Sequence, residues 1–71
     1  MTKRKVVVDT DRQRGQLYYV NEYDGRFYVY DVDVGILFDD KKKIGESRNL
    51  ADALEIIKSH VSGTVRDIRI K

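Results

Sequence analysis

The dipeptide Asp24-Gly25 constrains the fold more than any other feature, because it lies between two runs that are typical of β-strands. Residues 16–23 and 26–34 are both rich in aromatic and β-branched side chains. A two-residue type I′ turn needs positive φ at both central positions, and Asp-Gly meets that need. We therefore predict an antiparallel hairpin with Asp24-Gly25 as its loop.

The turn also fixes how the two strands pair, because the register of a hairpin follows from its loop length. One face of the hairpin should carry four cross-strand pairs: Tyr23 with Arg26, Asn21 with Tyr28, Tyr19 with Tyr30, and Leu17 with Val32. The other face should carry three pairs: Glu22 with Phe27, Val20 with Val29, and Tyr18 with Asp31. Both faces mix polar and apolar side chains, so the sequence leaves open which face packs on the rest of the protein.

The segments around the hairpin predict further strands and turns. Residues 4–9 should form the first strand, because their three consecutive valines are β-branched, and residues 10–15 should form a polar loop. The sequence leaves residues 35–38 open between a short strand and a bulged continuation of the hairpin. We expect residues 39–43 to form a charged turn and residues 44–47 to lead into a helix.

A helix is predicted after residue 49. Asn49 is a favourable N-cap, and Asp52 lies in the first turn, where the helix dipole stabilises a negative charge. Apolar residues then recur at helical spacing, at Leu50, Ala53, Leu54, Ile57 and Val61. Gly63 should end the helix in a left-handed conformation, and residues 64–70 alternate as expected for a last strand.

These elements predict one α+β domain over residues 1–71, in two layers. The order is β-β-β(-β)-α-β, with a small antiparallel sheet of four to five strands packed on one helix. A single amphipathic helix covers one face of such a sheet. The second face is therefore left to solvent or to a partner.

The residue types present limit the metal sites and catalytic groups that this protein can have. The chain has no Cys and one His, so it has neither disulfides nor the ligands of the usual zinc sites. Carboxylates such as Asp9 and Asp11 would hold a divalent cation only if they converge, and solvated groups at strand ends are the more common case. A calcium loop starting at Asp31 fails, because Lys42 stands where its closing Glu belongs. His60 lies at the predicted helix end. We therefore expect no enzymatic activity, no metal and no cofactor.

The distribution of apolar residues gives an expectation for the location of the protein. No apolar run approaches the roughly 18 residues that span a bilayer. Lys3-Arg4-Lys5 is followed by three valines, a stretch far shorter than the roughly 7–15 apolar residues of a signal-peptide core. We expect a cytoplasmic protein that starts at Met1 and does not associate with membranes.

Three tyrosines of the hairpin are the leading candidates for a partner-binding site: Tyr19, Tyr28 and Tyr30. Such rings either pack laterally as cross-strand pairs that cover the sheet or present a surface to a partner, and the two roles are compatible. The leading hypothesis is a non-enzymatic binding or regulatory module. It would act through an uncovered sheet face or an exposed edge strand, on a protein partner or by self-association as a homodimer.

The alternative hypothesis is weak nucleic-acid binding through two basic segments: Lys3, Arg4 and Lys5, and Lys41, Lys42 and Lys43. It requires the two segments to converge in space. The net charge of +2 is unevenly distributed, since residues 22–40 carry six acidic groups and one basic group. A uniformly basic surface is therefore not expected.

Three segments together follow the pattern of a known family. These are a glycine-led aromatic strand at residues 25–29, a Gly-x-Ser segment at residues 45–47, and a helix rich in Leu, Ala, Glu and Lys at residues 50–58. In this pattern the chain resembles the N-terminal domain of HicB-like antitoxins, although it has no proline. The resemblance implies a β-β-β-α-β fold and a protein that neutralises a small ribonuclease toxin by protein–protein contact.

Overall fold

The hairpin lies in the middle of the sheet of this protein, whose computed structural model describes residues 1–35, 37 and 39–71. Asp24 and Gly25 have φ angles of 52° and 75°, as a type I′ turn requires. The predicted register is confirmed pair by pair, from Tyr23 opposite Arg26 at the turn to Leu17 opposite Val32. The local chemistry of two residues thus sets the alignment of the two strands.

The described residues form five strands and one helix. In chain order these are β1 (Thr2–Thr10), β2 (Gln16–Tyr23), β3 (Arg26–Asp33), β4 (Asp40–Ser47), α1 (Leu50–His60) and β5 (Val65–Ile70). The strands lie in the order β4-β3-β2-β1-β5 and are antiparallel throughout. The predicted α+β fold, with an antiparallel sheet on one helix, is confirmed.

The prediction of a charged turn over residues 39–43 is wrong, because β4 occupies Asp40–Ser47 and pairs with β3 along its length. Lys and Asp have low β-propensity, which hides this strand in the sequence. An edge strand tolerates such residues, since its outer side and much of its surface face water. The two alternatives for residues 35–38 stay open, since residues 36 and 38 lie outside the described residues.

A β-bulge interrupts the pairing of β4 with β3. Val29 pairs with Gly45, whereas the next residue, Tyr30, pairs with Lys43, so Ile44 is the extra residue. Ile44 packs against the hydrophobic core. Gly45 also faces the helix, where an added Cβ would lie 3.1 Å from the Ile56 side chain, so its lack of a side chain brings β4 close to α1.

The helix begins as predicted and ends earlier than predicted. Asn49 is the N-cap, and its side-chain oxygen accepts a hydrogen bond of 2.8 Å from the backbone N–H of Asp52. The helix ends at His60, and Gly63, with φ of 93°, lies in the turn before β5. Gly63 therefore shapes the connection to the last strand and does not directly end the helix.

The hydrophobic core lies between α1 and one face of the sheet. The fully or nearly fully buried residues of this core are Val6, Val8, Tyr18, Val20, Val29, Ala53 and Ile57. Burial of an apolar side chain of this size stabilises the fold by roughly 1.5–3 kcal/mol. The helix therefore covers the face of the hairpin that carries Tyr18, Val20 and Val29.

The opposite side of the sheet is not covered by the helix, and we call it the open face. On β1 to β4 it carries these residues: Lys3, Lys5, Val7, Leu17, Tyr19, Asn21, Tyr23, Arg26, Tyr28, Tyr30, Val32, Lys41, Lys43 and Glu46. This assignment follows from the strict alternation of side chains along each strand and from the bulge in β4. The question that the sequence left open is thereby answered.

Thr10 joins four parts of the chain at one end of the sheet. Its side chain is 6% exposed, and its hydroxyl accepts hydrogen bonds from the backbone N–H groups of Arg12 (3.2 Å) and Gln13 (3.1 Å). The Gln16 side-chain amide nitrogen also lies 3.2 Å from this oxygen, and the hydroxyl donates to the carbonyl of Ser62. One hydroxyl thus links the end of β1, the loop, the start of β2 and the turn before β5.

We expect the substitution Thr10→Val to lower the free energy of unfolding by about 1–3 kcal/mol, because it leaves several partners of the hydroxyl without a hydrogen bond. Thr10→Ser keeps the hydroxyl and removes one methyl group, which costs roughly 0.8 kcal/mol. Urea denaturation followed by circular dichroism measures both. Equal losses for the two variants would mean that the hydroxyl does not hold this corner together.

Candidate functional site

Three tyrosine side chains form a cluster on the open face. Tyr19 on β2 lies directly opposite Tyr30 on β3, and Tyr28 is two residues from Tyr30 on the same strand and face. Residues two apart on a strand are about 7 Å apart. All three side chains are half-buried. The three rings therefore lie near one another on the same face and are partly open to solvent.

Lysines from the two strands on either side of the hairpin lie over these rings. The Nζ atom of Lys3, on β1, is 5.6 Å from the centre of the Tyr19 ring. Lys41 Nζ, on β4, is 5.8 Å from the Tyr19 ring and 5.9 Å from the Tyr30 ring. Lys43 Nζ is 5.1 Å from the Tyr28 ring. Cation–π contacts of this length at exposed sites are worth about 0.5–1 kcal/mol each.

The structure divides the six basic residues of the nucleic-acid hypothesis between the two sides of the sheet. Four of them lie on the open face: Lys3, Lys5, Lys41 and Lys43. Arg4 and Lys42 lie on the helix side, because side chains alternate along a strand. Arg4 Nη1 is 2.9 Å from Glu22 Oε1, and its guanidinium lies 5.7 Å from the centre of the Phe27 ring. Parts of both basic segments are thus brought together over the tyrosines, and Arg4 and Lys42 are not.

Asn21 is a residue of the open face that the sequence did not single out. It is paired with Lys3 on one side and with Tyr28 on the other, and its side chain is 9% exposed. Its Oδ1 atom has no hydrogen-bond partner among the described residues. A buried acceptor without a donor costs about 1–3 kcal/mol. A polar residue in a strand does not by itself indicate a binding site. The position of Asn21 beside the aromatic rings follows only from the pairing of β2 with its neighbouring strands.

Asn21 also lines a shallow cleft of about 400 Å³ on the open face, together with Met1, Tyr23, Tyr28, Tyr30 and Lys43. The cleft thus combines aromatic rings, an ammonium group and an amide. Rings of this kind can stack on flat ligands, and the polar groups can bind oxygen or N–H groups. The arrangement fits a flat, negatively charged ligand.

The acidic groups of this side of the sheet are engaged by basic neighbours. Glu46 lies 3.4 Å from Arg26 and 3.5 Å from Lys43. At the far end, Arg69 Nη1 is 3.0 Å from Asp9 Oδ2 and 2.8 Å from Asp67 Oδ2. The tyrosine cluster itself is therefore surrounded mainly by positive charge.

The carboxylates considered as metal ligands instead hold the backbone. Asp9 accepts a hydrogen bond of 2.7 Å from the backbone N–H of Gly15, and Asp11 accepts one of 2.8 Å from that of Thr64. The bond from Gly15, followed by the guanidinium of Arg69, lowers the pKa of Asp9 below its ordinary value. Within the described part of the chain, no group of three or more His, Asp or Glu side chains is placed to hold a metal ion.

A second polar group lies on the helix side, where the hydroxyl of Tyr18 is 2.9 Å from Nδ1 of His60. His60 Nε2 is 3.9 Å from a carboxylate oxygen of Asp31. Burial, with a smaller effect from the charge of Asp31, raises the pKa of Tyr18 to about 12. A phenol with this pKa is a poor proton donor or nucleophile near neutral pH. The contact joins the end of α1 to the sheet.

Comparisons with protein-family models, with curated proteins and with solved structures find no match for this chain. The resemblance to HicB-like antitoxins therefore stays a prediction from the sequence. Among the residues that the structure describes, no helix is long and apolar enough to cross a membrane.

The raised pKa of Tyr18 predicts a loss of stability in alkali. Its pKa is about 12 in the folded protein, against about 10 in an unfolded chain. The folded state thus resists ionisation of this phenol, and the stability it contributes is complete below pH 10 and lost as the pH rises to 12. We expect the free energy of unfolding to fall more steeply between pH 10 and 12 for the natural chain than for Tyr18→Phe.

Urea denaturation at intervals from pH 8 to pH 12 measures this difference. All other residues are identical in the two proteins, so their effect on the pH dependence cancels in the comparison. Parallel curves for the natural chain and Tyr18→Phe would show that burial does not raise the pKa of Tyr18.

Proposed function

We propose that this protein is a non-enzymatic binding module whose partner lies on the open face of the sheet. One observation carries the proposal: Tyr19, Tyr28 and Tyr30 form a half-buried aromatic cluster on the face that α1 does not cover. Aromatic side chains that are partly open to solvent are enriched at binding surfaces. A cytoplasmic location stays part of the proposal and rests on the sequence alone.

The geometry favours the open face over an exposed edge strand. Strand β4, at one edge, carries three consecutive lysines and a β-bulge, two devices that discourage another strand from pairing. Strand β5, at the other edge, is six residues long and also carries charged residues. Of the two binding surfaces that the sequence suggests, the exposed edge strand is therefore the less supported.

The hydrogen bonds made by the candidate catalytic groups support the non-enzymatic part of the proposal. Asp9 and Asp11 accept hydrogen bonds from the backbone at the ends of strands. The hydroxyl of Tyr18 lies against His60, with a pKa of about 12. These groups have structural partners, and proton transfer near neutral pH is unfavourable for such a phenol.

Incorporation of 3-fluorotyrosine tests whether the open face is the binding surface. The chain has five tyrosines, and Tyr→Phe variants assign their fluorine resonances. Tyr18 is the matched internal control, because it neighbours Tyr19 in sequence and points to the opposite side of β2. The spectra are recorded at mildly acidic pH, where the fluorophenols stay neutral.

Three ligands are added in turn: a single-stranded 12-nucleotide oligomer, poly-L-glutamate, and the protein itself over a concentration series. We expect at least one of them to shift the resonances of Tyr19, Tyr28 and Tyr30 and to leave that of Tyr18 in place. The proposal is wrong if none of the three ligands moves the open-face resonances. It is also wrong if Tyr18 shifts as much as they do.

A further inference from the structure

We infer that the open face binds single-stranded nucleic acid, with the tyrosine rings stacking on bases and the lysines binding phosphates. This inference rests on the proposed function and names the class of partner for the same surface. It also explains why the lysines of two strands that are not neighbours converge on one aromatic cluster.

The charge of the open face fits a polyanion. Lys3, Lys5, Lys41 and Lys43 are all exposed, and Glu46, the nearby carboxylate on this face, already lies against Arg26 and Lys43. A second copy of this chain would bring the same lysines against each other, and like charges at an interface oppose association. The inference therefore favours nucleic acid over self-association through this face.

The arrangement of the rings fits a single strand and not a duplex. Tyr28 and Tyr30 are two residues apart on one face of β3, a separation of about 7 Å. This separation is about twice the 3.4 Å rise per nucleotide along a strand of duplex DNA. Bases that stack on both rings must be spread apart, which a single strand allows. A duplex keeps the faces of its bases inside the stack.

Binding exchanges weaker contacts for stronger ones. In the free protein the ammonium groups of Lys3, Lys41 and Lys43 lie 5.1–5.9 Å from the centres of the tyrosine rings. Each such contact corresponds to roughly a two- to fivefold effect on an equilibrium constant. Stacking of a base on an aromatic ring corresponds to about 5- to 150-fold. The ammonium groups can turn to the phosphates while the bases take their places on the rings.

Asn21 provides a polar contact for a base at the same place. Its Oδ1 atom has no hydrogen-bond partner among the described residues, and the residue lines the cleft with Tyr28, Tyr30 and Lys43. Nucleobases carry N–H donors on their Watson–Crick edges, and proteins that bind single strands commonly contact those edges.

Fluorescence anisotropy with labelled 12-nucleotide oligomers tests the inference. The probes are oligothymidylate, oligouridylate, a 12-base-pair DNA duplex, and unlabelled heparin as a competitor that has negative charge and no bases. We expect the single strands to bind more tightly than the duplex. With four lysine–phosphate contacts, the affinity should fall roughly 50-fold between 50 and 200 mM NaCl, a slope of about −0.7 per contact.

Lysine substitutions on β1 and β4 distinguish the two sides of the sheet. The triple variant Lys3→Gln, Lys41→Gln, Lys43→Gln should reduce the magnitude of the salt slope by about 2, since each contact contributes about 0.7. Lys42→Gln is the matched control, because Lys42 lies between Lys41 and Lys43 and points to the helix side. We expect it to change the affinity less than about threefold and to keep the slope.

A substitution on β3 tests the stacking. Tyr28→Leu should weaken binding by about 5- to 150-fold, whereas Tyr28→Phe, which keeps the ring, should retain most of the affinity. Circular dichroism melting curves establish that each variant is folded. Should Tyr28→Leu fail to fold, the lysine variants and the heparin competition still decide the question, since exposed lysines are not part of the core.

Four results would overturn the inference. The first is no binding of either single strand at 50 mM NaCl. The second is an equal effect of Lys42→Gln and the triple variant. The third is a combination of two findings: heparin at an equal concentration of negative charge competes with the oligomers for the protein, and Tyr28→Leu binds the oligomers with the affinity of the natural chain. If poly-L-glutamate or a second copy shifts the fluorotyrosine resonances while the oligomers do not, the binding role of the open face stands and its assignment to nucleic acid is wrong.

Discussion

The packing of one helix on one side of a wider sheet is the constraint on which the rest of this structure depends. The helix has 11 residues, which gives a length of about 16 Å, whereas five strands span about 19 Å across. Ala53 and Ile57 are buried and pack with valines of the inner strands in one core. Among the described residues, no helix or second sheet covers the aliphatic and aromatic side chains on the reverse side. Tyrosine rings and lysine stems, which tolerate both an apolar and an aqueous neighbour, are suited to that position.

Much of the fold could be predicted because local chemistry and tertiary structure agree. The Asp24-Gly25 turn determines the pairing of β2 with β3, and Asn49 marks the start of the helix. Strand β4 could not be predicted, because lysines at its centre favour a turn by propensity, while hydrogen bonds to β3 favour a strand. Pairing with a neighbouring strand outweighs the propensity of the residues, and the sequence near β4 gives no sign of that neighbour.

The candidate site could be predicted in part. Tyr19, Tyr28 and Tyr30 share a face in any arrangement that keeps the hairpin register, but both faces of the hairpin mix polar and apolar groups. The choice between the faces depends on Val6 and Val8, which join Tyr18 and Val20 in one core only because β1 pairs with β2. The meeting of Lys3 with Lys41 over Tyr19 depends on the strand order of the sheet, which no local pattern encodes.

The bulge in β4 decides the electrostatic character of the open face. With an unbroken ladder from the pair of Val29 and Gly45, Ile44 would stand opposite Tyr30, and Lys42 would be the one lysine of the triplet on that side. Beyond the extra residue, each side chain of β4 points to the side of the sheet opposite to the one it would take in an unbroken ladder. The bulge turns the isoleucine inward and presents two ammonium groups in place of one. The density of positive charge over the aromatic rings is thus set by a single irregularity in the backbone, because a regular ladder of the same residues would exchange the two sides of this segment.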